Sequence, residues 1–241
     1  MAAQVGTGQT PRVVSHQQWV TERAAFLAKE KELTRLKDQL SRERRDLPWQ
    51  KLTKSYVFEG PRGPETLADL FEGRTQLLVY HFMFGPERKE GCFACSFVAD
   101  HFDATLPHLG ARDTTLVVIS RAPYPKLEAF RHRMGWRFKW VSSGGNDFNY
   151  DFGVSFTDQQ KAAGVVRYNY GSIEYPGPDR EGASVFARHD GDVFHSYSTY
   201  GRGVEALMGT YSYLDLMPKG RDEDRLDFSM AWVRYHDRYG K

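Results

Sequence analysis

Leu77-Leu78-Val79-Tyr80-His81-Phe82-Met83-Phe84 and, past a charged loop, Gly91-Cys92-Phe93-Ala94-Cys95-Ser96 decide how this chain is read. The first stretch is a near-continuous apolar run, the pattern of a strand buried on both faces. The second holds the only two cysteines in 241 residues, three positions apart. Strand, loop and helix in that order set Cys92 at a helix N-terminus and Cys95 one turn on. Unpaired N–H groups at such an end favour a thiolate. A thiolate is the nucleophile of disulfide exchange, and a neighbouring thiol resolves the mixed disulfide.

Downstream, the pattern repeats. A helix carries Phe97, Val98, Phe102, Leu106 and Leu109 on one side, and residues 114–120 (Thr-Thr-Leu-Val-Val-Ile-Ser) form a second buried strand. Residues 124–134 are helical, with Leu127 and Phe130 inward and Gly135 as the stop. Residues 138–141 make a third strand. Alternating strands and helices at this spacing predict an α/β fold with parallel strands. Residues 183–188 and 193–197 flank Asp190-Gly191, a hairpin signal. Val204, Leu207, Met208 and Tyr211 mark a last amphipathic helix. A βαβ series followed by a hairpin and a helix is the thioredoxin arrangement, in which a C-x-x-C after the first central strand is the active site. Residues 142–182 read as an irregular insertion before the hairpin.

Upstream, residues 56–58 read as a short strand, 59–64 as a turn, and 67–71 as one helical turn closed by Gly73. Residues 15–48 read as one long amphipathic helix. Trp19, Phe26, Leu33, Leu40 and Leu47 recur every seven residues, with Leu36 between and charges elsewhere. Ser15 is its N-cap and Pro48 its stop. The narrow stripe suits a partner helix in a homodimer, or packing against its own domain. The domains are thus a flexible lead (1–14), the helix (15–48), the α/β domain (49–215) and a charged tail (216–241) that packs on the surface or on a second subunit.

Net charge is +2, too balanced to argue for nucleic acid. The longest apolar run falls far short of the roughly 20 residues that span a bilayer, so no membrane segment is expected. No signal-peptide pattern is seen, and a cytoplasmic protein is expected. In a reducing compartment a close cysteine pair is catalytic or metal-binding. No Gly-rich dinucleotide fingerprint or P-loop is present, so no organic cofactor is expected.

Three residues are expected to support the cysteines. His81 ends the strand that feeds them and would face Cys92, unless it is a core histidine. Arg121 follows the second central strand, at the sheet edge where open α/β folds bind ligands. It would hold an anionic substrate or lower a thiol pKa, or else pair with Asp147 or Asp151. His195 lies on the second hairpin strand. Cys92, Cys95 and His195 also make a soft ligand set, so a copper or zinc protein is the alternative. His81 and His101 are further candidate ligands. A second alternative is a non-enzymatic dimeric interaction protein.

The chain resembles one family across about residues 19–239. The resemblance is carried by Glu30-Lys31-Glu32-Leu33-Thr34-Arg35, Leu47-Pro48-Trp49, Tyr80-His81-Phe82-Met83-Phe84-Gly85-Pro86 and the cysteine segment. It continues through Ser120-Arg121-Ala122-Pro123, Arg133-Met134-Gly135-Trp136, residues 147–152 and residues 195–203. The family is the bacterial thioredoxin-like group of domain of unknown function 899, labelled predicted dithiol–disulfide oxidoreductases. The resemblance implies a thioredoxin-like fold and thiol–disulfide chemistry on an unknown thiol or disulfide substrate. Two departures bear on that. The proline that thioredoxins place opposite the cysteines is missing near Gly182-Ala183-Ser184. The Thr or Ser that peroxiredoxins place three residues before the peroxidatic cysteine is Lys89 here.

Overall fold

The computed structural model describes residues 11–240. The chain divides into two compact units, one running through Pro48 and including Ser212–Asp222, the other comprising Trp49–Tyr211 and Glu223–Lys241. Most of the lead expected at residues 1–14 lies outside the described residues.

In the first unit, α1 spans His16–Arg45. The Ser15 hydroxyl accepts from the Gln18 N–H at 3.2 Å, the cap its sequence signals. Arg42, Arg44 and Arg45 in the last turn complement the helix dipole. The helix ends before Pro48, since the residue preceding a proline is driven out of helical geometry. No residue of α1 is buried.

The second unit is built on an eight-stranded sheet. Its strands and helices, in chain order, are β1 (Gln50–Lys51), β2 (Val57–Gly60), β3 (Gly63–Thr66), β4 (Gln76–His81), α2 (Phe93–Ala99), α3 (Leu106–Gly110), β5 (Thr114–Ser120), α4 (Tyr124–Arg133), β6 (Lys139–Ser142), α5 (Phe148–Asp151), α6 (Asp158–Ala163), β7 (Val165–Tyr168), β8 (Gly171–Glu174), β9 (Gly182–His189) and β10 (Asp192–Tyr200). A final short helix, α7, spans Thr210–Leu214, with only its first two residues in this unit.

The sheet order is β1-β10-β9-β4-β5-β6-β2-β3. Strands β4, β5 and β6 are parallel, with Val79 beside Val117 and Val117 beside Lys139. Strand β9 runs antiparallel to β4, and β10 antiparallel to β9. Three parallel strands followed by an antiparallel hairpin on the far side of the first is the thioredoxin-like arrangement, here with the extra strands β1, β2 and β3 at the edges. Successive side chains of β4 point to opposite faces. Leu77 and Val79 join Val117, Ile119, Val141, Phe148 and Phe186 in one core cluster. Tyr80 and Phe82 face the other way, against Phe102, Trp136 and Trp140.

Several elements differ from expectation. Residues 59–64 hold the end of β2 and the start of β3, which pair as a hairpin at the sheet edge, where Pro64 withholds no needed donor. The helix after the cysteines breaks into α2 and α3. The last amphipathic helix is a 3-10 segment, Gly201–Leu207, followed by α7. Residues 142–182 are ordered as α5, α6 and the β7–β8 hairpin. Helix α6 carries a full capping box between Thr157 and Gln160. The hairpin turns at Asn169 and Tyr170, both with positive φ, where glycine is the usual second residue. Tyr170 is held there by its hydroxyl, which donates to the Ser198 carbonyl at 3.1 Å.

The segment from Glu223 onward packs within its own unit. Val233 is buried. Trp232 lies edge-on to Phe97, and Tyr235 edge-on to Phe130. Arg133 and Arg238 both pair with Glu90, and Arg133 also with Asp237.

Candidate functional site

Chain reversal after β4 brings Met83 alongside the first turn of α2. The Cys92 N–H donates to the Met83 carbonyl at 3.0 Å. The Met83 N–H in turn donates to the Cys95 sulfur at 3.4 Å. The Cys92 carbonyl accepts from the Ser96 hydroxyl at 2.9 Å. One backbone residue of the strand exit therefore fixes both cysteines. They lie 4.1 Å apart as free thiols. Cys95 is 1% exposed and Cys92 7% exposed.

Their electrostatic settings differ. The Cys92 thiol is pulled down to about 7, first by the adjoining Cys95 thiol. The Cys95 and Ala94 N–H groups and the Arg88 charge add to this, against an opposing burial effect. Cys95 is pushed well up, first by burial and then by Cys92 and the Glu181 charge. Two thiols in contact with their acidities driven apart can divide nucleophile and resolving roles between them.

Four residues that the sequence did not single out complete the surroundings. Tyr80 is fully buried, and its hydroxyl lies beside the Cys95 sulfur without a well-formed hydrogen bond. Arg88 supplies the nearby positive charge. Glu181 stands just before β9, its carbonyl accepting from the Tyr168 hydroxyl at 2.7 Å, and its charge acts on both Cys95 and Tyr80. Tyr235 donates its hydroxyl to the Gly91 carbonyl at 2.6 Å, next to Cys92. These residues come from four separate places in the chain.

His81 and His195 do not join the cysteines. His81 alternates with Tyr80 along β4 and so faces the opposite side of the sheet. It stacks on Phe152 and lies tilted against Phe148. His195 packs against Phe152 and Phe186 on that same side. A hydrogen-bonded chain joins the two rings. His81 Nε2 lies 2.8 Å from Ser184 Oγ, which lies 2.8 Å from Ser198 Oγ, which lies 2.7 Å from His195 Nε2. Burial pulls the His81 pKa down to about 3 and lowers that of His195. A cavity of about 540 Å³ includes His195, Phe152, Tyr170 and Tyr200 in its walls and neither cysteine. The copper or zinc set of Cys92, Cys95 and His195 is thus not assembled. Among the described residues no group of three His, Cys, Asp or Glu side chains is placed to hold a metal. His101 binds Thr210 Oγ1 at 2.8 Å.

Arg121 is also committed elsewhere. Its Nε donates to Asp179 Oδ1 at 2.8 Å and its Nη1 to the Tyr150 hydroxyl at 3.0 Å. Asp147 and Asp151, its alternative partners in sequence, instead bind Lys54. Among the described residues no helix is long and apolar enough to cross a membrane.

No curated protein matches the chain. Among solved structures it is similar to peroxiredoxin Q of Xanthomonas campestris, at 13% identity and a TM-score of 0.46, covering 67% of this chain and 94% of that one. It is similar to the peroxidoxin BcpB of Mycobacterium tuberculosis, at 16% identity and a TM-score of 0.43, covering 67% and 94%. A hypothetical protein of Sinorhizobium meliloti matches at 12% identity and a TM-score of 0.39, covering 61% and 68%. With its cysteine pair held at the exit of the central strand, the chain belongs to the family of bacterial proteins of unknown function DUF899, which it matches over residues 8–239.

Proposed function

We propose that the protein is a dithiol–disulfide oxidoreductase with Cys92 as nucleophile and Cys95 as resolving thiol. The opposite acidities of two thiols in contact carry this reading. The Cys92 thiolate attacks one sulfur of a substrate disulfide. Its S–S bond breaks and the other sulfur leaves as a thiolate that takes a proton from water. Cys95 then loses its proton and attacks the Cys92 sulfur, releasing the second substrate thiol. Two electrons pass to the substrate and a Cys92–Cys95 disulfide remains. The sulfurs must close to about 2 Å in that step. The same steps reversed oxidise a dithiol.

Insulin reduction by dithiothreitol tests this. Added protein is expected to accelerate it, Cys92→Ser to abolish the effect, and Cys95→Ser to accumulate mixed disulfide. Loss of the acceleration in wild type, with folded protein, sinks the proposal.

A further inference from the structure

A helix of 30 residues with none buried is marginal in water, because helices in proteins draw most of their stability from packing an apolar face. Helix α1 has such a face. Trp19, Phe26, Leu33, Leu36, Leu40 and Leu47 are each about half exposed. Trp19, Phe26, Leu33 and Leu40 lie along one stripe, since seven residues make nearly two full turns, with Leu36 beside it and Leu47 two residues past the helix end. Covering these six side chains in a pair of helices removes on the order of 1,200 Å², the lower end of the range for stable interfaces, before flanking Lys and Arg stems are counted.

The charges beside the stripe choose the occupant's direction. Glu22, Lys29, Leu36 and Glu43 repeat every seven residues and flank the Trp19–Leu47 row. Two copies packed in parallel set each of these residues against itself, so that three layers carry like charges face to face. Turned antiparallel about Leu33, the stripe pairs Phe26 with Leu40 of the second copy and Leu33 with itself, and brings Trp19 toward Leu47, two residues past the end of α1. Each large ring then meets a smaller side chain. In this register Glu22 faces Arg44 of the second copy and Arg23 faces Glu43, each pair occurring twice by symmetry, against one like-charged pair, Lys29 with Lys37. Exposed pairs of this kind contribute little alone, roughly 0–1 kcal/mol each, but they set register and direction. The two-fold also makes the contact closed, which limits assembly to a dimer.

We propose that α1 pairs antiparallel with α1 of a second copy of this chain, with Leu33 on the two-fold axis. Sedimentation velocity of the full chain at about 50 µM is expected to show a dimer. Leu33→Glu places two carboxylates on the axis. It is expected to raise the dimer dissociation constant at least tenfold while leaving insulin reduction unchanged. Direction is read by disulfide cross-linking in a Cys92→Ser, Cys95→Ser background. Trp19→Cys combined with Leu47→Cys is expected to give a cross-linked dimer, and Trp19→Cys alone none. A wild-type monomer, a Leu33→Glu dimer as tight as wild type, or self-cross-linking of Trp19→Cys would each overturn the proposal. None of these outcomes depends on the thiol chemistry.

Discussion

Tyr80 is the residue whose placement asks most for a reason. A buried hydroxyl without a well-formed partner costs about 1–3 kcal/mol, and a phenylalanine would fill the same space. Beside Cys95, that hydroxyl is positioned to donate to the sulfur once it ionises. Tyr80→Phe is therefore expected to leave the reduced protein as stable as wild type in urea, or more so. It is expected to slow resolution of the mixed disulfide about tenfold, roughly the worth of one hydrogen bond to a charge, as read by rapid quench. An unchanged resolution rate would show the hydroxyl to be only packing. Cys92 gives a second prediction. With its pKa lowered to about 7, alkylation by iodoacetamide should rise to half its plateau near neutral pH instead of near the free-thiol value of about 8.5. Arg88→Ala should move that midpoint upward. The two cysteines were legible in sequence; their neighbours were not. Tyr80 and His81 are adjacent in one apolar run, and only knowledge of which face the cysteine helix covers tells which of the two is the partner. Parity along the strand decides between the two readings of His81 in favour of a core histidine.

At the scale of elements, the strands β4, β5 and β9 were legible because burial on both faces leaves long β-branched and aromatic runs. What was missed has local causes. Strand β3 hides in a Gly-Pro sequence that reads as a turn and is tolerated only because the strand lies near the sheet edge. The β7–β8 hairpin turns on Asn-Tyr, a pair held by the bond from Tyr170 to Ser198 and not by turn propensity. The segment after Glu223 reads as a charged tail that packs on the surface or on a second subunit, and Tyr235 and Val233 anchor it within its own unit. Tyr235→Phe removes the bond to Gly91 while keeping the ring against Phe130. The expected result is faster alkylation of Cys92 at fixed pH, with little change in thermal midpoint. An unaltered alkylation rate would mean that the hydroxyl does not restrain the loop.

For the whole molecule, the buried histidines predict how stability responds to acid. His81 titrates near 3 when folded and near 6.5 when unfolded. Its neutral form therefore contributes stability that is fully present above about pH 6.5. That contribution is lost as pH falls through the window down to about 3, by as much as about 1.4 kcal/mol per pH unit. His195 shifts in the same direction. Between pH 6.5 and 5 most carboxylates are still ionised, so the histidines dominate the loss. Urea midpoints of wild type should fall steeply over that interval, and those of His81→Gln should fall less. Equal slopes would show that His81 is protonated in the folded state.

The bond from Tyr235 to Gly91 spans 144 residues of sequence. At a synthesis rate of roughly 5–20 residues per second, the carbonyl beside Cys92 emerges many seconds before the tyrosine that restrains it. During that interval the nascent chain carries its reactive sulfur pair without the restraint that Tyr235 later provides. Translation therefore contains a period in which the thiols meet the surrounding redox buffer directly, and how reducing that buffer is decides the state in which the finished chain first folds.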